Sequence, residues 1–139
     1  MIKVVRTSYK EVKDFSEREW RSADIEHYGK RLDWKKRKFI LRAVEDGKTV
    51  GIIKVKMESG VADIESVLVA ADKRGQGIGK ALMLAAEEQA KKAGCHIVEL
   101  VTGQDWKAVK FYEDLGYKKL SLIKRYYHQR DFIEFIKYI

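Results

Sequence analysis

Val67-Leu68-Val69-Ala70-Ala71-Asp72-Lys73-Arg74-Gly75-Gln76-Gly77-Ile78-Gly79-Lys80 is the stretch on which the fold turns. An apolar strand end runs into a turn with glycine at alternate positions. From Ile78 the apolar residues Leu82, Leu84, Ala85, Ala86 and Ala90 then follow a helical spacing that stops at Gly94. Glycines at 75, 77 and 79 let the main chain approach a ligand closely and turn successive N–H groups inward. Those groups sit at the positive end of the helix dipole, flanked by Arg74 and Lys80, which makes a cradle for a diphosphate. A nucleotide-triphosphate loop would need glycine where Arg74 stands and Ser or Thr where Ala81 stands. A dinucleotide fingerprint would need glycine at Lys80 or Leu82. Both fail. Taken alone, the cluster can also be a tight turn without a ligand.

Upstream, Lys38–Val44 and Thr49–Met57 read as strands joined by Glu45-Asp46-Gly47-Lys48, a strong hairpin turn. Glu58-Ser59-Gly60 then leads to a third strand, Asp63–Ala70. Connections this short predict an antiparallel meander. Residues 2–7 alternate as a further strand, and residues 8–34 place apolar residues at Val12, Phe15, Trp20, Ile25, Tyr28 and Leu32, which predicts two short helices. Downstream, Ile97–Val101 is a short apolar strand, whose link to the third strand through a helix predicts a parallel pairing. Asp105 starts a second amphipathic helix carrying Ala108, Val109, Phe111, Tyr112 and Leu115, closed by Gly116. Residues 117–126 and 130–138 alternate as two closing strands. The expected fold is α/β (α+β): one domain over residues 1–139, with a mixed, mostly antiparallel sheet of about seven strands flanked by about four helices.

Composition narrows the function classes. The chain of 139 residues has a globular share of apolar residues, 45%, and no apolar run approaching the ~20 residues of a membrane span. With no signal-peptide pattern at Met1–Arg6, a cytoplasmic protein is expected. One cysteine, Cys95, and three scattered histidines offer no metal-ligand spacing, so no metal is expected. A net charge of +8 favours anionic partners, densest at Lys30–Lys38. No helix-turn-helix, zinc spacing or aromatic RNA-binding signature accompanies it, so a nucleic-acid-binding module is the weaker alternative. A homodimer is left open.

The glycine segment resembles the GNAT superfamily of acetyltransferases, whose signature of Arg or Gln, two residues, Gly, one residue, Gly or Ala is met by Arg74, Gly77 and Gly79. Ala71 stands where the family often has proline. A second family segment, Asn-x-x-Ala-x-x-Phe-Tyr-x-x-x-Gly-Phe, is similar to Asp105-Trp106-Lys107-Ala108-Val109-Lys110-Phe111-Tyr112-Glu113-Asp114-Leu115-Gly116-Tyr117. Two motifs in the right order make the likeness specific over roughly residues 61–127, while residues 8–34 contribute nothing to it. Asp105 replaces the usual Asn, keeping an acceptor but losing the amide donor; it is also a reasonable helix N-cap.

The resemblance implies direct transfer of an acetyl group from acetyl-coenzyme A to a primary amine in a ternary complex. It implies a third strand that splays from its parallel neighbour around a bulge. Val67, Leu68 and Val69 would then pair with the pantetheine arm, with an N–H near Val69 polarising the carbonyl. The diphosphate would rest on the N–H groups of Gln76, Gly77, Gly79 and Lys80, with Arg74, Gly75 and Ile78 in the same cofactor site. Asp105 stands where the family's Asn helps hold the pantetheine arm, and Tyr112 falls at the family's general-acid position. Alternation along the strand puts Asp63 and Glu65 on one face together with Val67 and Val69. Either carboxylate could serve as base, Glu65 having the longer reach through a water; both could equally be solvated charges. The closing segment with Tyr126 and Tyr127 is similar to the paired-tyrosine hairpin of enzymes that acetylate protein N-termini, so the acceptor is expected to be a protein N-terminus or a small amine. A non-catalytic acetyl-coenzyme A sensor is the remaining alternative.

Overall fold

The computed structural model describes residues 1–139 and falls into two compact units, Met1–Trp34 and Lys35–Ile139. In the first, a single helix α1 spans Tyr9–Tyr28, where two short helices were expected. Nothing between these ends is Gly or Pro, so the chain has no reason to break. Gly29 ends it in the left-handed region (φ 74°), its N–H held by the carbonyl of Ile25 at 2.9 Å. Buried Asp24 organises the segment that follows, accepting from the N–H of Leu32 (3.2 Å) and the indole N–H of Trp34 (2.9 Å). Residues 2–7 form no strand. Alternation gives a strand its faces, but without a neighbouring strand to complete the hydrogen-bond ladder it does not make one.

The second unit runs β1 (Arg37–Glu45), β2 (Lys48–Glu58), β3 (Val61–Val69), α2 (Ile78–Lys92), β4 (Ile97–Gly103), α3 (Ala108–Asp114), β5 (Lys118–Ile123) and β6 (Phe132–Tyr138). The sheet has six strands in the order β1-β2-β3-β4-β6-β5, all neighbours antiparallel except β3 and β4. The expected class and the parallel pairing therefore stand, with six strands and three α-helices in place of about seven and four. Both meander turns take left-handed backbone at two consecutive residues. These are Asp46 and Gly47 (φ 49° and 75°), then Ser59 and Gly60 (φ 51° and 87°), as tight hairpins demand. The helix expected from Asp105 begins instead at Ala108, with Lys107 at the N-cap and no side chain capping it.

The core lies between one sheet face and α2. Ile53, Val55, Ile64, Val98, Leu100 and Phe135 from the sheet bury against Leu82, Met83, Ala86 and Ala90, and Val109, Phe111 and Tyr112 of α3, with Leu115 at its C-cap, pack against the same cluster. Cross-strand partners share a face, which fixes where β3 points. Val55 pairs with Ile64 and Ile53 with Val67, although the partners on β3 are three residues apart. The register shifts there because Glu65 has no partner on β2 and forms a β-bulge. Ala62 and Ile64 face the core before the bulge; Val67 and Val69 face it after. The expectation that Asp63 and Glu65 share a face with Val67 and Val69 is therefore corrected, because the bulge reverses the alternation between them.

The same region opens the sheet. β3 and β4 are paired only from Val61–Ile97 to Asp63–Glu99 and part beyond that point. The splay foreseen from the resemblance is present, and it leaves the rest of β3 without a neighbour on that edge.

Candidate functional site

On the helix side of the splay lies a cleft of about 920 Å³, lined by Val67, Leu68 and Val69, the glycine turn, and α3. Gly75 and Gly77 adopt φ 78° and 82° with nothing within 4 Å of where a Cβ would stand. Gly77 is the N-cap of α2, and no side chain caps the helix. The first helical bond there runs from the N–H of Ala81 to the carbonyl of Gly77 at 3.0 Å, so the amides of Ile78, Gly79 and Lys80 are the orphan donors of a helix start. Gly79 lies so close to α3 that a Cβ would stand 3.4 Å from Phe111 Cζ. Lys80, Lys107 and Arg74 add positive charge to the lining. Arg74 Nε donates to the carbonyl of Val69 at 3.4 Å, and Lys73 is held by Glu45 at 2.8 Å. Open space, unsatisfied amides and cations together fit a diphosphate.

Tyr112 reaches the same cleft from α3. Burial raises its phenol above the usual value, so it is a hydrogen-bond donor rather than a phenolate. Its ring is set edge-on against Phe111 and Tyr117, with centroids 5.1 and 5.9 Å away. Tyr117 in turn donates to buried Glu87 at 2.9 Å, and Lys137 donates to the other oxygen of that carboxylate at 2.7 Å. Desolvation and the Glu87 carboxylate push the Tyr117 phenol up strongly. A buried, fully paired network thus backs Tyr112 from the core side.

Opposite this is a second cleft, of about 710 Å³, lined by Lys56, Asp63, Glu65, Trp106, Tyr127, His128, Arg130 and Phe132 among others. Trp106 belongs to both linings. It packs edge-on against Phe132 at 5.4 Å, and a Cβ on Gly103 would collide with its indole. Lys56 stands 3.9 Å from Asp63, yet the Asp63 carboxyl is raised, by partial burial first and by Glu65 as well. Glu99, beside Asp63 in the sheet, is raised by burial and by Asp63 and Glu134. The open sheet face is thus acidic in a chain that is basic overall. The rings of Tyr126 and Tyr127 lie 4.3 Å apart, tilted by 39°, and both meet Phe132 edge-on; a hydrogen bond with Tyr127 raises the Tyr126 phenol.

The expected residues divide accordingly. Val67, Leu68, Val69, Arg74, Gly75, Gly77, Ile78, Gly79, Lys80 and Tyr112 share the first cleft, whereas Gln76 and Asp105 are exposed and line neither. Asp63, Glu65 and Tyr127 share the second; Tyr126 stands behind Tyr127 and does not line it. The sequence reading missed Trp106 as the shared wall, together with Lys56, His128 and Arg130. The bulge implied by the resemblance falls at Glu65, a position the sequence reading did not assign although its signal was present: the apolar residues Ala62 and Ile64 occupy even positions, then Val67 and Val69 odd ones. Cys95 is buried, with its thiol raised by burial, and is placed for packing rather than chemistry.

The model of the Acetyltransferase (GNAT) family matches residues 7–117. An uncharacterised N-acetyltransferase of Methanocaldococcus jannaschii is 46% identical over 65 residues, 46% of this chain and 29% of that protein. The aminoalkylphosphonate N-acetyltransferase of Salmonella typhimurium is 34% identical over 84 residues, 55% of this chain and 54% of that protein. The matched stretches therefore span from under a third to about half of these relatives' lengths. Among solved structures, an acetyltransferase from Bacillus cereus superposes with a TM-score of 0.75 at 18% identity, over 99% of this chain and 98% of that one, a likeness of fold.

Proposed function

This chain belongs to the GNAT acetyltransferase family, and from that premise we propose that it transfers the acetyl group of acetyl-coenzyme A to a primary amine. The observation that carries the proposal is the meeting of two clefts at the splayed end of β3, one lined by main-chain amides and cations, the other by the carboxylates of Asp63 and Glu65 together with Lys56 and Arg130. The orphan amides of the α2 start, with Arg74 and Lys80, hold the diphosphate. The free edge of β3 at Val67–Val69 receives the pantetheine arm and brings the thioester toward Trp106.

The amine arrives from the other side and must first lose a proton. At pH 7 that costs roughly 4–5 kcal/mol for an alkyl amine of pKa near 10.4 and about 1 kcal/mol for an α-amine near 8. Glu65, thrown outward by the bulge and free of ion pairs, takes this proton through a water, while the Asp63 carboxyl beside it is raised by partial burial and by Glu65. The nitrogen lone pair then forms the new C–N bond as the C–S bond breaks, and the nitrogen releases its second proton to solvent to give the neutral amide. Tyr112 hydrogen-bonds the departing sulfur. Its phenol is a weaker acid than a thiol of pKa near 8.5, so it stabilises the sulfur while the final proton comes from solvent.

A small primary amine is the acceptor we favour, in keeping with the name of the Salmonella typhimurium relative. A protein N-terminus is the second reading, favoured by the adjoining rings of Tyr126 and Tyr127. Coenzyme A binding by calorimetry at low salt, followed by thioester consumption against an amine panel, tests the proposal. Absence of coenzyme A uptake overturns it; uptake without turnover on any amine leaves a binding domain only.

A further inference from the structure

We infer that the acceptor carries an anionic group close to its amine, and that Arg130 reads that group; the inference rests on the amine-acetylation reading above. The charges in the acceptor cleft are two cations and two carboxylates, Lys56, Arg130, Asp63 and Glu65. Lys56 and Asp63 are already opposite each other at 3.9 Å. What remains is Glu65 and Arg130, which line one cleft without forming an ion pair. A carboxylate and a guanidinium that line one open cavity without pairing complement a zwitterion. A simple alkyl amine would satisfy Glu65 and place its positive charge in a cleft that also exposes Arg130.

The loop between β5 and β6 is built to present Arg130. Arg125, its other arginine, is consumed internally. Its N–H bonds Asp131 at 2.9 Å, and its guanidinium bonds the amide oxygen of Gln129 at 3.3 and 3.1 Å. The carbonyl and N–H of Arg130 close the loop onto Tyr126 and Tyr127 at 2.8 and 3.1 Å, which fixes the base of the side chain while its head stays free. Arg125, His128 and Gln129 all take left-handed backbone, at φ 55°, 53° and 64°, uncommon for residues with a Cβ and concentrated at functional sites. His128 lines the cleft beside Arg130 and offers a second donor to an anion. A planar guanidinium suits carboxylate or phosphonate oxygens. The cleft, at about 710 Å³, has ample room for a small bifunctional amine.

The test compares kcat/KM for β-alanine and 2-aminoethylphosphonate with that for β-alaninamide, which has a similar amine but no anion. Wild type should prefer the anionic pair by about tenfold, the scale of one charge-assisted contact at a partly exposed site. R130Q should bring the ratio close to one, and R130K should restore part of it. An unchanged coenzyme A-induced thermal shift verifies that each variant is folded; should R130Q misfold, R130K alone still reads the ratio. Parity between anionic and neutral acceptors in wild type overturns the inference, as does a preference for neutral peptide N-termini or an R130Q ratio equal to wild type, and in each case amine acetylation survives. Coenzyme A binding with no transfer to any amine brings down the acetylation reading, and this inference with it.

Discussion

The two clefts that meet at Trp106 are built by opposite means. The cofactor side takes its ligand-facing groups from one continuous stretch, Val67 to Lys80, plus one face of α3, and its central donors are main-chain amides. The acceptor side draws single side chains from β2, β3, β4 and the loop before β6, and its chemistry is carried by charge. Backbone amides are indifferent to most substitutions except those that disturb φ, whereas each acceptor-side group is unique. Substitutions on the acceptor side should therefore lower the rate while sparing coenzyme A binding, and those in the glycine turn should do the reverse.

The largest effect is expected at Glu65. E65Q removes the proton acceptor but keeps the shape, and should lower kcat/KM by about 10²–10³ for an amine of high pKa, with coenzyme A affinity unaltered. D63N should cost about tenfold or less, since Asp63 is already held opposite Lys56 and is the shorter of the two carboxylates. The loss for E65Q should shrink as pH rises toward the pKa of the amine, which then needs less help; a pH-independent loss would point to a binding role. A larger loss in D63N than in E65Q would exchange their roles.

Y112F comes next. Because the phenol stabilises a sulfur that is already a good leaving group, the expected loss in kcat is about 10²-fold or less. A larger loss with normal coenzyme A affinity would mean that the leaving group needs a proton in the transition state. On the cofactor side, G77A tests the amide cradle. A Cβ there meets nothing within 4 Å, so any effect is conformational. Holding a non-glycine residue at φ 82° costs roughly 1–2 kcal/mol, which predicts a weakening of coenzyme A binding by about tenfold. The acceptor-side anionic preference should persist in G77A, and its loss would mean the clefts are not separable.

This contrast also explains what was legible beforehand. The hairpins at Asp46-Gly47 and Ser59-Gly60, the glycine turn and the parallel β3–β4 link are local in sequence, and each carries its own signal. The acceptor cleft is assembled by topology. Nothing near Arg130 indicates that it shares a cleft with Glu65, because the two line one cavity only once β6 is inserted between β4 and β5. The bulge fell between these cases. Asp63-Ile64-Glu65 alternates so regularly that a period of two was carried through Val69, and only the apolar residues Ala62, Ile64, Val67 and Val69 betray the skipped position. At the N-terminus, alternation over residues 2–7 lacked a partner strand, and twenty residues without Gly or Pro made one helix where their apolar spacing suggested two.

The smallest effect is thermodynamic, and it asks whether the acidic face is maintained against stability. Asp63 and Glu99 have carboxyl groups raised above their ordinary values of 3.8 and 4.5 by partial burial first; Glu65 adds to the shift of Asp63, Asp63 and Glu134 add to that of Glu99, and Lys56 opposes both. A carboxyl whose folded-state pKa is raised binds its proton more tightly in the folded than in the unfolded chain. Its contribution to stability is thus fully present below the unfolded value and is lost as pH rises through the folded value. Charged at pH 8, these groups strain the face. Removing one charge with E99Q, at a position that lines neither cleft, should raise the melting temperature at pH 8 by about 1–2 °C. The gain should fade as pH falls toward 4, where the wild-type groups take up protons. K56M should lower stability at pH 8, since it removes the one cation opposing the repulsion. A melting temperature for E99Q that is unchanged at pH 8 would show that solvent already relieves the face, and the raised carboxyls would then say nothing about how the acceptor site was assembled.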